Sequence, residues 1–179
     1  MFKKILLPID GSEASERAGE YAISTADLSG ADIIVLNVID TDYLNSLPQQ
    51  DLREKLDEQL REEGKKAVEK FKNKIEKEEC AGNCKNINLI TLIKQGKPED
   101  IILETAEEEG VDQIIMGKSG KHSFERFLMG STTERVVRRA KIPVNIISWC
   151  DTPSNTCPMR YSFNTCPMRY SFNTFPDKN

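Results

Sequence analysis

Five short runs of isoleucine, leucine and valine recur along the chain: FKKILLPI at 2–9, DIIVLNVI at 32–39, INLITLI at 87–93, VDQIIMG at 111–117 and IPVNIIS at 142–148. Most are apolar nearly throughout, the pattern expected of strands covered on both faces. Between them the pattern takes on a helical period. Ser12 is placed to cap a helix carrying Ala14, Ala18, Tyr21, Ala22 and Leu28, with Gly30 as its stop. Pro98 at a first turn, beside Glu99 and Asp100, opens another that holds Ile101, Ile102 and Ala106 before Gly110. Ser131 and Glu134 form an S-x-x-E capping box ahead of Val136, Val137 and Ala140, and Arg138, Arg139 and Lys141 suit the negative end of that helix. Strand and helix in alternation predict an α/β fold: a parallel sheet with right-handed crossovers.

The crossover after the second strand is longer. From Gln50 to about Glu79, residues Leu52, Leu56, Leu60, Ala67, Val68, Phe71 and Ile75 mark one face and Glu, Lys and Arg fill the other. This predicts a surface helix lying on the sheet, with a break near Gly64. The loop DTDYLNSLPQQ before it could cover a ligand site. The tail differs from everything before it, because NTCPMRYSF occupies 155–163 and again 164–172. An identical tandem copy suggests duplication at the DNA level, and the segment carries neither helical nor strand periodicity. Residues 150–179 are therefore expected outside the fold; the competing reading is an arm packing on a neighbouring chain through Tyr161, Phe163, Tyr170 and Phe172.

Composition narrows the function classes. A chain of 179 residues, 38% hydrophobic and 30% charged, suits one domain with a proper core. The net charge is −4 and basic residues are interleaved with acidic ones, which argues against nucleic acid as a partner. The apolar start ends at Asp10, too short for a signal-peptide core, and no run approaches the roughly 20 residues of a membrane span, so a cytoplasmic protein with no membrane partner is expected. Five cysteines and the single His122 give poor zinc arithmetic, with Cys80 and Cys84 as the one close pair. No metal ligand is assigned. A Cys80–Cys84 disulfide would require an oxidising compartment.

The chemistry concentrates in GKSGKHSFERFLMGST, from Gly117 to Thr132. Ligands of an open parallel sheet bind outside the carboxyl ends of its strands, where strand order reverses. With the first and fourth strands as central neighbours, residues 8–12 and 117–131 would face each other across that crevice. Glycines let backbone N–H groups approach an anion, the next helix presents its positive end, and Lys118, Lys121 and Arg126 outnumber Glu125. Two common phosphate motifs fail letter by letter. A G-x-x-x-x-G-K-S/T loop would need glycine where Asp112 stands, and Ser119 replaces the second glycine of G-x-G-x-x-G.

Gly117, Gly120, Gly130 and Ser131 reproduce G-x2-G-x9-G-S/T. With KKILLPIDGSEAS, VLNVID and IPVNIIS in order, residues 1 to about 149 resemble the ATP-binding branch of the universal stress proteins. The resemblance implies a Rossmann-like, adenine nucleotide alpha hydrolase-like domain over 1–149. Its open five-stranded parallel sheet would run in the order 3-2-1-4-5 with helices on both faces. It further implies ATP as cofactor, with magnesium as a companion ion, and a homodimer through the last strand. By position, Pro8, Ile9 and Asp10 match the first-loop segment on the nucleoside and Val38 the backbone at the adenine edge. Met116 and Gly117 match the start of the motif near ribose and phosphates, and Gly120, Gly130, Ser131 and Thr132 the phosphate contacts. Ser119 departs from the family, many of whose members carry Arg or His there.

Structural readings stand beside these: Asp10 as a helix cap, Ser131 as a capping-box residue only, and His122 as a loop residue with no catalytic partner. Efficient ATP hydrolysis needs a positioned water, a charge-stabilising cation and usually a metal. Beyond Asp10 and Ser131 the sequence offers no such set and no convincing base, so slow turnover at most is expected and no catalytic residue is assigned. The related adenylating enzymes carry S-G-G-x-D-S or H-I-G-H, which DGSEAS and His122 do not satisfy. Three functions stay open: an ATP-binding stress-response module, a relative that has lost the nucleotide and acts through protein contacts, and a weak hydrolase or transferase.

Overall fold

The computed structural model describes residues 2–46, 48–80, 87–119, 129–148 and 171–172. In chain order these form β1 (Lys4–Pro8), α1 (Glu13–Ser29), β2 (Asp32–Asp40), α2 (Thr41–Asn45), α3 (Gln50–Cys80), β3 (Leu89–Gly96), α4 (Pro98–Glu108), β4 (Gln113–Gly117), α5 (Ser131–Arg139), β5 (Val144–Ile147) and β6 (Ser171–Phe172). The sheet runs β3-β2-β1-β4-β5-β6. Its first five members are mutually parallel, giving the expected 3-2-1-4-5 order. Strand order therefore reverses between β1 and β4, where Ile5 pairs with Gln113 and Leu6 with Ile114.

Period-two alternation sends the apolar strand residues into two cores. Ile5, Leu7, Ile9, Ile33 and Val35 pack with Ala18, Ala22, Ala26, Val68, Phe71 and Ile75 from α1 and α3. Leu6, Ile34, Leu36, Ile114 and Met116 pack on the opposite face with Ile102, Ala106 and Val136 from α4 and α5. This is why the central runs are apolar without interruption: both faces are covered, and each fully buried Leu or Ile contributes about 1.5–3 kcal/mol. β3 lies at the sheet edge and alternates half-buried with exposed positions.

Several local expectations change. On α1 the buried face is Ser15, Ala18, Gly19, Ala22, Ile23 and Ala26, while Leu28 is 76% exposed. At about 100° per residue Leu28 lies roughly 200° round from Ala26, on the solvent side. α3 is continuous through Gly64 instead of breaking there. A Cβ on Gly64 would lie 2.3 Å from the Asn37 side-chain oxygen, so the glycine marks the point where α3 presses on β2. The loop ahead of α3 holds the short α2, whose Leu44 is buried, and Asp42 there is paired with Lys97. The cations of the last helical segment bind carboxylates: Arg139 pairs with Asp100 and Lys141 with Glu107 across to α4, and Arg138 with Glu134 in its own helix.

Two tail residues do not follow the expectation that 150–179 lies outside the fold. Ser171 and Phe172 form β6, antiparallel to Asn145 and Val144 of β5. An edge strand presents unpaired N–H and C=O groups, and β6 satisfies part of that row. The rest of the tail, including Tyr161, Phe163 and Tyr170, lies outside the described residues, as do Cys84, Cys150, Cys157 and Cys166.

At the amino ends of the central strands, the carboxylate of Asp112 accepts the backbone N–H groups of Lys3 at 2.6 Å and Lys4 at 2.9 Å. These bonds, the Lys3 one foremost, hold its carboxyl below the ordinary aspartate range. The residue that rules out a Walker loop thus ties β1 to the start of β4. A carboxylate with a depressed folded pKa stabilises the fold fully above its unfolded value of about 3.9, and this contribution is lost as pH falls through the folded value. Asp112→Ala is accordingly expected to cost about 1 kcal/mol near neutrality in urea unfolding, a difference that shrinks as pH falls below the unfolded value of about 3.9.

Candidate functional site

The crevice is built from the tips of β1 and β4 and the first turn of α5. After Pro8, the Ile9 N–H donates to the Leu36 carbonyl at 2.8 Å and the Asn37 amide donates to the Ile9 carbonyl at 2.9 Å, fixing the strand's exit on β2. Asp10 then turns the chain, its Oδ1 accepting the Ser12 N–H at 3.0 Å. The cap of α1 is Ser12, whose Oγ accepts the Ser15 N–H at 3.2 Å. Asp10 is therefore a loop-turning residue and not the helix cap.

On the β4 side, Met116 and Gly117 are buried. A Cβ on Gly117 would come within 2.8 Å of the backbone carbon and oxygen of Ala14, so the bare main chain here lets the start of α1 cross the tip of β4. The Lys118 N–H donates to the Ile147 carbonyl and the Lys118 carbonyl accepts the Gly130 N–H, at 3.0 and 2.8 Å. These two bonds bring Lys118 and Gly130 together at the base of the intervening loop. The Thr133 hydroxyl donates to the Gly117 carbonyl at 3.0 Å, fastening the first turn of α5 to the strand tip.

The expected capping box does not form. Gly130, at φ −62° and ψ 146°, is the N-cap of α5, and Ser131 is the first helical residue. Glu134 bonds to Arg138. Gly130 has no side chain to accept a hydrogen bond, so among the described residues the donors of the first turn, at Ser131, Thr132 and Thr133, lack a cap of the kind that Ser12 gives α1. Ser131 is exposed and Thr132 half-buried. An uncapped helix start at a strand-order reversal offers N–H groups and a partial positive charge to an anion.

The remaining expected site residues divide cleanly. Val38, near the carboxyl end of β2, is half-buried and packs into the α4/α5 core. Gly120 lies outside the described residues, with Lys121, His122, Glu125 and Arg126. Pro8, Ile9, Asp10, Met116, Gly117, Gly130, Ser131 and Thr132 lie on β1, β4, α5 and their connecting loops, at the carboxyl end of the central strands. Asn37 and Thr133 were not foreseen. Asn37 could have been suspected as the lone amide in an apolar run; Thr133, one step past the motif, gave no signal.

The strand order agrees with the comparison with known proteins. The chain matches the model of the universal stress protein family over residues 1–148 and belongs to that family. It is similar to universal stress protein MJ0531 of Methanocaldococcus jannaschii, 35% identical over 147 residues that cover 82% of each chain. Among solved structures it is similar to protein MJ0577 of the same organism, at 33% identity and a TM-score of 0.71, covering 85% of this chain and 99% of that one. It also shares its fold with an Arabidopsis thaliana family member solved with AMP bound, at 19% identity and a TM-score of 0.58, covering 87% and 97%. No helix among the described residues is long and apolar enough to cross a membrane.

Proposed function

We propose that this chain binds an adenine nucleotide, ATP, in the crevice between the β1 tip and the start of α5, and works as a nucleotide-dependent stress-response module. The observation that carries this reading is the uncapped first turn of α5, held by Thr133 against the tip of β4 where strand order reverses. In it, the N–H groups of residues 131–133 receive phosphate oxygens, with the hydroxyls of Ser131 and Thr132 at hand. Residues 8–10 and the backbone near Val38 frame the nucleoside, and Gly120 joins the phosphate contacts through its N–H. The AMP held by a protein of the same fold supports an adenine nucleotide as the ligand class. Among the described residues no group of three or more His, Cys, Asp or Glu side chains could hold a metal ion.

Nucleotide released by denaturing the freshly purified full chain, identified by mass spectrometry, tests this reading. An adenine nucleotide in the supernatant is expected. Its absence, together with no heat on titrating ATP into the protein, would contradict it.

Thr133→Val keeps the shape of the side chain and removes its hydrogen bond to Gly117. It should lower stability by about 1–2 kcal/mol in urea unfolding and weaken ATP binding, because the helix start loses its anchor. The proposed homodimer uses the β5 edge in a cytoplasmic protein, and β6 occupies part of that edge. Truncation after Ser148 should therefore move the chain from monomer toward dimer in sedimentation, with the ATP site retained.

A further inference from the structure

On the α1/α3 side of the sheet lies a cavity of about 490 Å³, within the range of small-molecule sites. Its apolar wall is made by Ile9 and Phe71, both more than nine-tenths buried, together with Ala67. Along it α3 lines up Lys66, Lys70, Lys74 and Lys77, a spacing that keeps all four on one helix face. Two of them are engaged: Lys70 pairs with Glu16 and Lys74 with Glu20, clamping α3 to α1. Lys66 and Lys77 have no ion-pair or hydrogen-bond partner among the described residues. Lys70 and Lys74 are neutralised by Glu16 and Glu20, so the charge left at the opening is that of Lys66 and Lys77 against Glu63, an excess of one cation.

We infer that the cavity is a second ligand site, built for a small amphipathic carboxylate whose hydrocarbon body lies on Ile9, Ala67 and Phe71 and whose anionic head meets Lys66 or Lys77. An apolar floor under a cationic rim suits one charge on a carbon body better than a polyphosphate, which two neighbouring glutamates would repel. Val38, Met116, Gly117, Gly130 and Ser131 do not line it; Ile9, which packs on the α1/α3 side of the sheet, is the one residue it has in common with the proposed nucleotide site.

Titration of the full chain with the fluorescent anion 8-anilinonaphthalene-1-sulfonate, followed by competition, tests the inference. Saturable one-to-one binding is expected, displaced by decanoate and not by decyltrimethylammonium. The Lys66→Ala/Lys77→Ala double variant should bind decanoate about ten-fold more weakly with its melting temperature unchanged, since both side chains are exposed. Ala67→Leu should weaken binding with all four lysines in place. Binding that does not saturate, equal displacement by the cation, or undiminished affinity in the double variant would overturn the inference. So would displacement of the probe by ATP, which would make the cavity the nucleotide site. Because Gly130→Val leaves the cavity untouched, it should retain decanoate binding whether or not the wild type binds nucleotide, which separates the two failures.

Discussion

Gly117→Val is expected to destabilise the protein by about 3 kcal/mol, lowering its melting temperature by roughly 10 °C in calorimetry. The first atom of any side chain at this position would lie 2.8 Å from the main chain of Ala14 and 2.9 Å from its Cβ. Backbone at the start of a helix cannot rotate away as a flexible side-chain tip can, so α1 must lift from the sheet. Its first turn carries the Ser12 cap and buries Ser15, the next turn buries Ala18, and those contacts are strained with it. Gly117→Ala meets the same atoms and should follow the same direction with a smaller loss. The first glycine of the G-x2-G-x9-G-S/T spacing thus has a packing duty that holds with or without a ligand.

Gly130→Val should do the reverse, keeping the fold and removing the ligand. The backbone at 130 is in an extended conformation that any residue adopts, and its N–H already bonds to the Lys118 carbonyl. Valine is a poorer N-cap than glycine, so the substitution is expected to lower stability by about 1 kcal/mol. A branched side chain there would project at the mouth of the first turn, where phosphate oxygens are proposed to meet N–H groups. Losing charge-assisted bonds of about 1.5–3 kcal/mol each implies an ATP affinity lower by about a hundred-fold in calorimetry. Unchanged affinity would remove the phosphate seat from this helix start. Together the two substitutions separate glycines that an identical motif letter makes look alike.

What the sequence made legible was local. Uninterrupted apolar runs revealed strands covered on both faces, and Ser12, Pro98 and Gly30 marked helix ends because capping depends on a few adjacent residues. Strand order is a long-range property that no periodicity encodes; it came from the family resemblance, and the β1–β4 pairing agrees with it. The errors also have physical causes. Gly130 and Ser131 are both acceptable caps, so only the backbone angles decide between them, and with Gly130 at the cap no capping box forms. Gly64 looks like a helix breaker from its neighbours alone, because its contact is with Asn37, on a strand more than twenty positions earlier. Leu28 was counted into a face it does not share, and Thr133 is fixed by a carbonyl sixteen residues away. β6 was missed because a two-residue strand depends on the edge it meets and not on its own composition.

Amide chemical-shift mapping of the isotopically labelled full chain during an ATP titration tests the nucleotide site most directly. The expected result is saturable perturbation centred on Ser131, Thr132 and Thr133, with Lys118 and residues 9–12 following, and little change along the lysine face of α3. Shifts confined to residues 66–77, or none at saturating ATP, would contradict it.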